Sequence, residues 1–119
     1  MKKRLRLTRQ SDFKRVLGRN RVYAGRAMIA FALARDSAPS RIGVSTSRKL
    51  RGAVARNRAR RRLREVARRV LLAADSPLGG RGIPYDVVLI ARPAAVELPF
   101  PAVEAEARAL LERLSPPGR

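Results

Sequence analysis

Two neighbouring stretches alternate larger apolar residues with smaller or polar ones, which is the pattern of a β-strand with two different faces. The first, Arg26–Arg35, alternates Ile29, Phe31 and Leu33 with Met28, Ala30 and Ala32. The second, Arg41–Ser47, alternates Ile42, Val44 and Thr46 with Gly43, Ser45 and Ser47. We expect the small, polar face of the second strand to lie against solvent or a ligand.

Apolar residues spaced three and four positions apart predict three helices. The first covers Thr8–Gly18, the second Ala53–Ala73 and the third Ala102–Leu114. The second helix carries an apolar stripe formed by Ala59, Leu63, Val66 and Val70. The third carries a stripe formed by Val103, Ala107, Leu110 and Leu114. Each stripe can dock on a common core.

A further apolar run, Asp86–Arg92, is nearly continuous and β-branched, as in a strand that is covered on both faces. A short additional strand is expected near Val22–Tyr23 or after Ser47. The order α-β-β-(β)-α-β-α then predicts a small α+β fold, a single-domain α/β sandwich. With 119 residues, the chain is expected to form one domain over residues 1–114, followed by a frayed tail over 115–119.

Charge divides the chain into two unlike parts. Residues 1–69 hold 23 Lys or Arg and three acids, whereas residues 70–119 hold five Arg and six acids, for a total net charge of +19. The positive part therefore points to a polyanionic partner, either a nucleic acid or an anionic membrane surface.

Other features of the composition exclude several kinds of chemistry. The chain has no Cys and no His, which removes thiolate zinc sites, Ser-His and Cys-His pairs and the commonest metal ligand. Its acids are scattered, without the spacing of a metal site or an acid-base pair. We therefore predict no catalytic residue and no protein-bound metal. No apolar run is long enough for a membrane span, and no signal peptide is apparent, so we expect a cytoplasmic protein.

The positive charge is densest at residues 48–69, where eleven Lys or Arg accompany a single acid, Glu65. Solvated helix faces normally mix both signs, so this helix is expected to bind phosphates. Arg with little Asn or Gln suits phosphate contact better than base reading. A DNA major groove remains an alternative to structured RNA. Phe13 and Phe31 are either core residues or a stacking floor for single-stranded RNA.

The segment that contains this helix resembles the protein component of bacterial ribonuclease P. The resemblance rests on the small polar strand end Ser45–Lys49, on Ala53–Val54, and on Arg56-Asn57-Arg58 followed by further arginines. Three other parts agree with it, in order along residues 1–114. They are the opening with Leu7, Asp12, Phe13 and Val16, the strand that ends in Ala91-Arg92-Pro93, and the last helix.

The resemblance implies a mixed sheet with a left-handed βαβ crossover. It also implies a protein subunit that helps a catalytic RNA to remove the 5′ leader of precursor tRNA. Chemistry would belong to the RNA subunit and to Mg²⁺ held mainly by RNA and substrate. The expected partners are ribonuclease P RNA and precursor tRNA, with no membrane and no protein partner. A ribosomal or other structural RNA-binding protein is the alternative.

The resemblance further implies two binding sites. The catalytic RNA would contact Arg48, Lys49, Arg56, Asn57, Arg58, Arg60, Arg61, Arg62, Arg64 and Arg68. A cleft for the leader would be lined by Arg9, Phe13, Leu17 and Phe31. The chain departs from the family pattern at two places. Leu17 stands where a second aromatic residue is common, and the usual glycine and its neighbour are exchanged or altered at Arg51-Gly52.

Overall fold

The sheet and helices are described from a computed structural model, which covers residues 3–19, 21–73, 76, 78 and 84–114. The strands are β1 (Arg21–Ala24), β2 (Met28–Ala34), β3 (Arg41–Thr46) and β4 (Tyr85–Ala91). The α-helices are α1 (Gln10–Leu17), α2 (Ala53–Val66) and α3 (Phe100–Leu114). The predicted α+β fold is confirmed, and the additional short strand is β1, at the first of its two expected places.

The sheet is mixed, with the strand order β1-β2-β4-β3. β2 pairs antiparallel with β1 and with β4, whereas β3 and β4 are parallel. Parallel neighbours need a crossover connection, and α2 lies in the segment that joins β3 to β4. This segment is the expected βαβ unit; its left-handed sense stays a prediction.

Successive residues of the inner strand β4 belong to different cores, which shows that helices cover both faces of the sheet. Val87 and Leu89 are fully buried in the main core, together with the apolar stripes of α2 and α3. Val88 is fully buried in a smaller cluster with Leu7 and with Val16 of α1. The continuous apolar run predicted this two-sided burial correctly. Helices α2 and α3 therefore lie on one face, and α1 lies on the other.

The predicted element ends differ from the observed ones at the end of α2 and after β4. Helix α2 ends at Val66 and continues as a π-helical turn, Ala67–Leu71, short of the predicted end at Ala73. A 3-10 turn, Pro93–Val96, follows β4 and was not predicted. The predicted loop over 76–84 lies mostly outside the described residues, and the predicted tail over 115–119 lies outside them entirely.

Candidate RNA-binding surfaces

Helix α2 buries one side against the sheet and presents cations on the other. Ala59, Leu63 and Val66 have no exposed surface, as their spacing predicted. The exposed side, called here the basic face, consists of Arg56, Asn57, Arg58, Arg60, Arg61, Arg64 and Arg68. Most of these side chains are exposed, and Arg60 and Arg64 are half-buried. The helix is held by its apolar stripe, so its cations remain available to a ligand.

Arg62 differs from the other predicted RNA contacts because its guanidinium is directed into the protein. Its two terminal nitrogens donate to the carbonyl oxygens of Ala95 and Leu98 at 2.6 and 2.8 Å. The guanidinium carbon also lies 5.8 Å from the centre of the Phe100 ring. Arg62 therefore ties α2 to the segment between β4 and α3, and we assign it to the fold instead of the basic face.

Neighbouring polar groups hold some members of the basic face in place. Arg56 Nε donates to the Leu50 carbonyl at 2.9 Å, and Arg60 donates to Asn57 Oδ1 at 3.1 Å. Arg68 pairs with Glu65 at 3.0 and 2.6 Å, the one acid that the sequence placed among these cations.

Three other cations of the basic face have no such protein partner. Within the described part of the chain, Arg58, Arg61 and Arg64 form no hydrogen bond or ion pair. The donors of these three guanidinium groups are therefore available to a polyanion.

Like charges from two segments meet at the middle of the basic face. Arg60, Arg61 and Arg64 line a depression of about 450 Å³ with Val54 and Asn57. Partial burial lowers the pKa of Arg64, and the positive charges of Arg6 and Arg60 lower it further. Phosphate would relieve this repulsion. No pattern in the sequence indicates that Arg6 lies here, because its proximity to α2 depends on the tertiary fold.

The segment before α1 brings Arg6 to this place by pairing with the edge of the sheet. Arg6 forms an isolated parallel bridge with Ile42, and the Leu7 amide donates to the Ile42 carbonyl at 2.8 Å. Leu7 is buried, which fixes the segment on β3. The N-terminal residues therefore extend the positive surface beyond α2.

The connection between β3 and α2 carries the remaining predicted RNA contacts. Arg48 and Lys49 are both exposed, and the Lys49 amide donates to Ser47 Oγ at 3.2 Å. Gly52 then turns the chain into α2 with a φ of 88°. A side chain is strained at such a φ, so glycine is required at this position even though it departs from the family pattern.

On the opposite face of the sheet, α1 packs over a position without a side chain. A Cβ atom built at Gly43 would lie 2.6 Å from Cζ of Phe13, so glycine alone permits this contact. Phe13, Phe31, Leu33 and Ile90 are half-buried around the small cluster of Leu7, Val16 and Val88. The result is a partly exposed apolar surface beside the helix, called here the α1 cleft because it lies where the resemblance implies the leader cleft.

The structure brings two of the four predicted cleft residues together. Phe13 and Phe31 pack on the same cluster and both keep accessible surface, so each serves the core and remains able to stack. Leu17 is 38% exposed at the last residue of α1. Arg9 is exposed just before the first residue of the same helix. These two therefore lie at opposite ends of α1.

A buried carboxylate, Asp86, lies on the same face of the sheet as the α1 cleft, two residues before Val88 on β4. Asp86 is 1% exposed and receives two hydrogen bonds from Arg41, at 2.8 and 2.7 Å, and one from Arg35 at 3.1 Å. Arg15 of α1 lies 3.6 Å from the same carboxylate and 3.2 Å from Asp12. This network, called here the Asp86 network, links α1 with the ends of three strands.

The charges of the network keep Asp86 ionised. Burial raises the pKa of Asp86, but the hydrogen bonds and positive charges of Arg41 and Arg35 outweigh it, so the net pKa lies below the ordinary value of 3.8. This network could not be predicted from the sequence. Its members are distant in sequence, and no local pattern indicates that they meet.

The described residues contain no other recognisable chemical centre. No group of three or more His, Cys, Asp or Glu side chains within them is placed to hold a metal ion. None of their helices is long and apolar enough to cross a membrane.

Comparison with known proteins decides the family. A model of the family described as Ribonuclease P matches residues 1–115. The chain belongs to the bacterial ribonuclease P protein family. The ribonuclease P protein component of Symbiobacterium thermophilum is 40% identical over 114 residues, covering 95% of this chain and 93% of that protein. That of Gluconacetobacter diazotrophicus is 37% identical over 109 residues, covering 91% and 89%.

Solved structures of ribonuclease P proteins share the fold. The protein from Thermotoga maritima superposes with a TM-score of 0.73 at 24% identity, covering 93% of this chain and 98% of that one. The protein from Staphylococcus aureus gives a TM-score of 0.71 at 22% identity, covering 93% and 95%. Membership of the family gives this chain the role of protein subunit in the ribonuclease P holoenzyme, which processes tRNA 5′ ends, with a ribonuclease P RNA as its partner. Family membership decides against the ribosomal alternative.

Proposed function

We propose that this subunit binds two RNAs at once, the catalytic RNA on the basic face and the single-stranded 5′ leader of precursor tRNA in the α1 cleft. The observation that supports this most is the placement of the two surfaces. They lie on opposite faces of one sheet, and both border the edge strand β3. One rigid body can therefore fix the distance between the two RNAs.

The basic face suits a folded RNA backbone. Helix α2 and its π-helical turn span 19 residues, roughly 28 Å at 1.5 Å per residue. A row of cations of that length can reach phosphates from more than one strand. Arg48 and Lys49 extend the row at the start of the helix, and Arg6 widens it at the middle.

The α1 cleft suits a single strand. Half-exposed aromatic rings offer stacking surfaces that accept any base, which fits leaders of varied sequence. Phe13 and Phe31 supply these rings, Leu17 adds apolar surface, and Arg9 offers a cation for a leader phosphate. Replacing the common second aromatic residue by Leu17 removes one stacking partner, so more of the leader affinity would rest on Phe13 and Phe31.

The chemistry of cleavage is assigned to the RNA subunit. We propose that Mg²⁺ is held mainly by that RNA and by the substrate, and that the protein strengthens binding by positioning both RNAs and screening their charge. We also propose that the protein acts in the cytoplasm without a further protein partner. If the protein bound duplex DNA more tightly than structured RNA at equal salt, that preference would contradict the assignment of the basic face to RNA.

Cleavage of precursor tRNA by a bacterial ribonuclease P RNA at low Mg²⁺, with and without this protein, tests the proposal. We expect stimulation and cut sites at the mature 5′ end. The RNA must first be shown to be competent with its own protein. Tight RNA binding without stimulation of such an RNA would contradict the proposed function.

A further inference from the structure

One apolar side chain stands exposed in the middle of the positive surface. Val54, in the first turn of α2, is 82% exposed, the largest value among the large hydrophobic residues that the structure describes. It contributes to neither core cluster. Folding therefore gives no reason for an apolar residue at this position, and exposing it to water brings no stabilisation.

Val54 also separates two depressions in the surface. On one side it lines the depression of about 450 Å³ that holds Arg60, Arg61 and Arg64. On the other side it lines a second depression of about 440 Å³ with Gly52, Val96, Arg51 and Arg58. The space beside Gly52 in this second depression is open, because a Cβ atom built there would meet no atom within 4 Å. Its floor is mostly apolar and its rim is cationic.

The charge of the rim restricts what can cover Val54. Arginines flank it on both sides, so its ligand must combine an apolar surface with negative charge. The RNA partner has both only where a nucleotide is unpaired, since paired bases in an A-form helix are stacked and enclosed by their backbone. An unpaired base can lie flat against apolar atoms while its phosphates reach the arginines on either side.

We propose that Val54 and the depression formed by Gly52 and Val96 bind one unpaired nucleotide of the catalytic RNA, with Arg51 and Arg58 at its phosphates. The inference rests on the proposed assignment of the basic face to that RNA. It adds a contact of a different kind, because burial of the base against Val54 is independent of salt. The contact would distinguish an RNA with an unpaired nucleotide at this place from a uniform duplex.

The experiment compares Val54→Ala and Val54→Thr with the unaltered protein in titrations of ribonuclease P RNA over a series of salt concentrations. We expect Val54→Ala to weaken binding roughly 5- to 15-fold by the same factor at every salt concentration, because about two methyl groups are lost from the contact. Val54→Thr keeps the shape and introduces a hydroxyl group, so it should also weaken binding. Ala105→Ser, on an exposed position of α3, is the matched control and should bind like the unaltered protein.

Since Val54 is outside the cores, both variants should unfold at the same urea concentration as the unaltered protein. Superimposable titrations for Val54→Ala and the unaltered protein would overturn the inference. They would leave the proposed function intact provided the salt dependence stayed steep. A change of slope without a parallel shift would also overturn it, because that result would mean that only phosphate contacts were disturbed. A shallow salt dependence in every protein would instead contradict the assignment of the basic face.

Discussion

The basic face and the α1 cleft are built on opposite principles. The basic face gathers like charges, several of them without protein partners among the described residues, and is stabilised by the apolar stripe underneath. The α1 cleft is held by packing of Phe13 on Gly43 and by the buried Asp86 network. Binding of RNA would neutralise the charges of the basic face and so stabilise it, whereas the interactions that hold the α1 cleft are already formed within the protein. Salt should therefore weaken binding to the first far more than binding to the second.

The largest expected effect comes from the α1 cleft. Asp86→Asn would leave Arg35 and Arg41 facing each other without their shared carboxylate. Removing one partner of a buried ion pair typically costs about 3–5 kcal/mol. We expect a loss near the lower end of this range, because both arginines keep some contact with solvent. Urea unfolding measures the change in the free energy of unfolding.

Acid should reproduce part of this loss without any mutation. Since the folded-state pKa of Asp86 is lowered, its contribution is present above the ordinary value of 3.8 and is lost as the pH falls through the folded-state pKa. Asp86→Asn should remove that part of the acid dependence. An Asp86→Asn protein with unchanged stability at neutral pH would show that packing alone holds the cleft.

The next effect concerns the basic face. Arg60→Ala combined with Arg64→Ala should lower the slope of log affinity against log salt by about 1.4–1.8 if both contact phosphates. If the double variant and the unaltered protein bind the catalytic RNA equally at 1 M salt, this difference in slope makes the variant bind roughly 25- to 60-fold more weakly at 0.1 M salt. The exposed Arg108→Ala on α3 is the control and should leave the slope as it was. An unchanged slope in the double variant would remove these two residues from the interface.

A smaller effect is expected in the α1 cleft, and it should differ between precursor tRNA and mature tRNA. Phe31→Ala should weaken holoenzyme binding of leader-bearing precursor more than of mature tRNA, by about 1–3 kcal/mol if a base stacks there. The lower end is expected, because part of the ring is already covered by the small cluster. Comparing two substrates on one variant cancels any loss of stability. Equal losses for both would assign Phe31 to the core alone.

The smallest effect tests the one acid on the basic face. Glu65→Gln removes the carboxylate that pairs with the exposed Arg68, which frees this cation for phosphate. The slope of log affinity against log salt should become steeper by roughly 0.7–0.9 at most, which corresponds to one additional phosphate contact. A fall in the slope would mean that the Glu65 pair orients Arg68 toward the RNA instead of competing for it.

The features that the sequence could predict were those that repeat along one element. Alternation assigned the two faces of β2 and β3, and helical spacing assigned the buried Ala59, Leu63 and Val66. The continuous run predicted that β4 is covered on both sides. The basic character of α2 was equally visible, because the composition of a charge cluster does not depend on the fold.

The sequence could not predict contacts between distant elements. Nothing local relates Asp86 to Arg35 and Arg41, and nothing relates Arg6 to Arg64. The cleft residues and their role came from the family resemblance, and no pattern in the residues alone would have assigned a leader to Phe31. The π-helical turn at Ala67–Leu71 could not be predicted either, because the α-helical spacing of the apolar stripe continues from Ala59 to Val70.

The inward direction of Arg62 changes how experiments on this helix should be interpreted. Arg62 is the last of three consecutive arginines in the sequence. An alanine scan that measured only RNA affinity would therefore place it in the same class as Arg60 and Arg61. Yet its guanidinium donates hydrogen bonds to two backbone carbonyl oxygens of the segment after β4. We expect its replacement to loosen the attachment of α2 to this segment, so that the RNA contacts of the whole helix weaken together. A scan of this row therefore needs a folding measurement at each position before any loss of affinity is attributed to RNA.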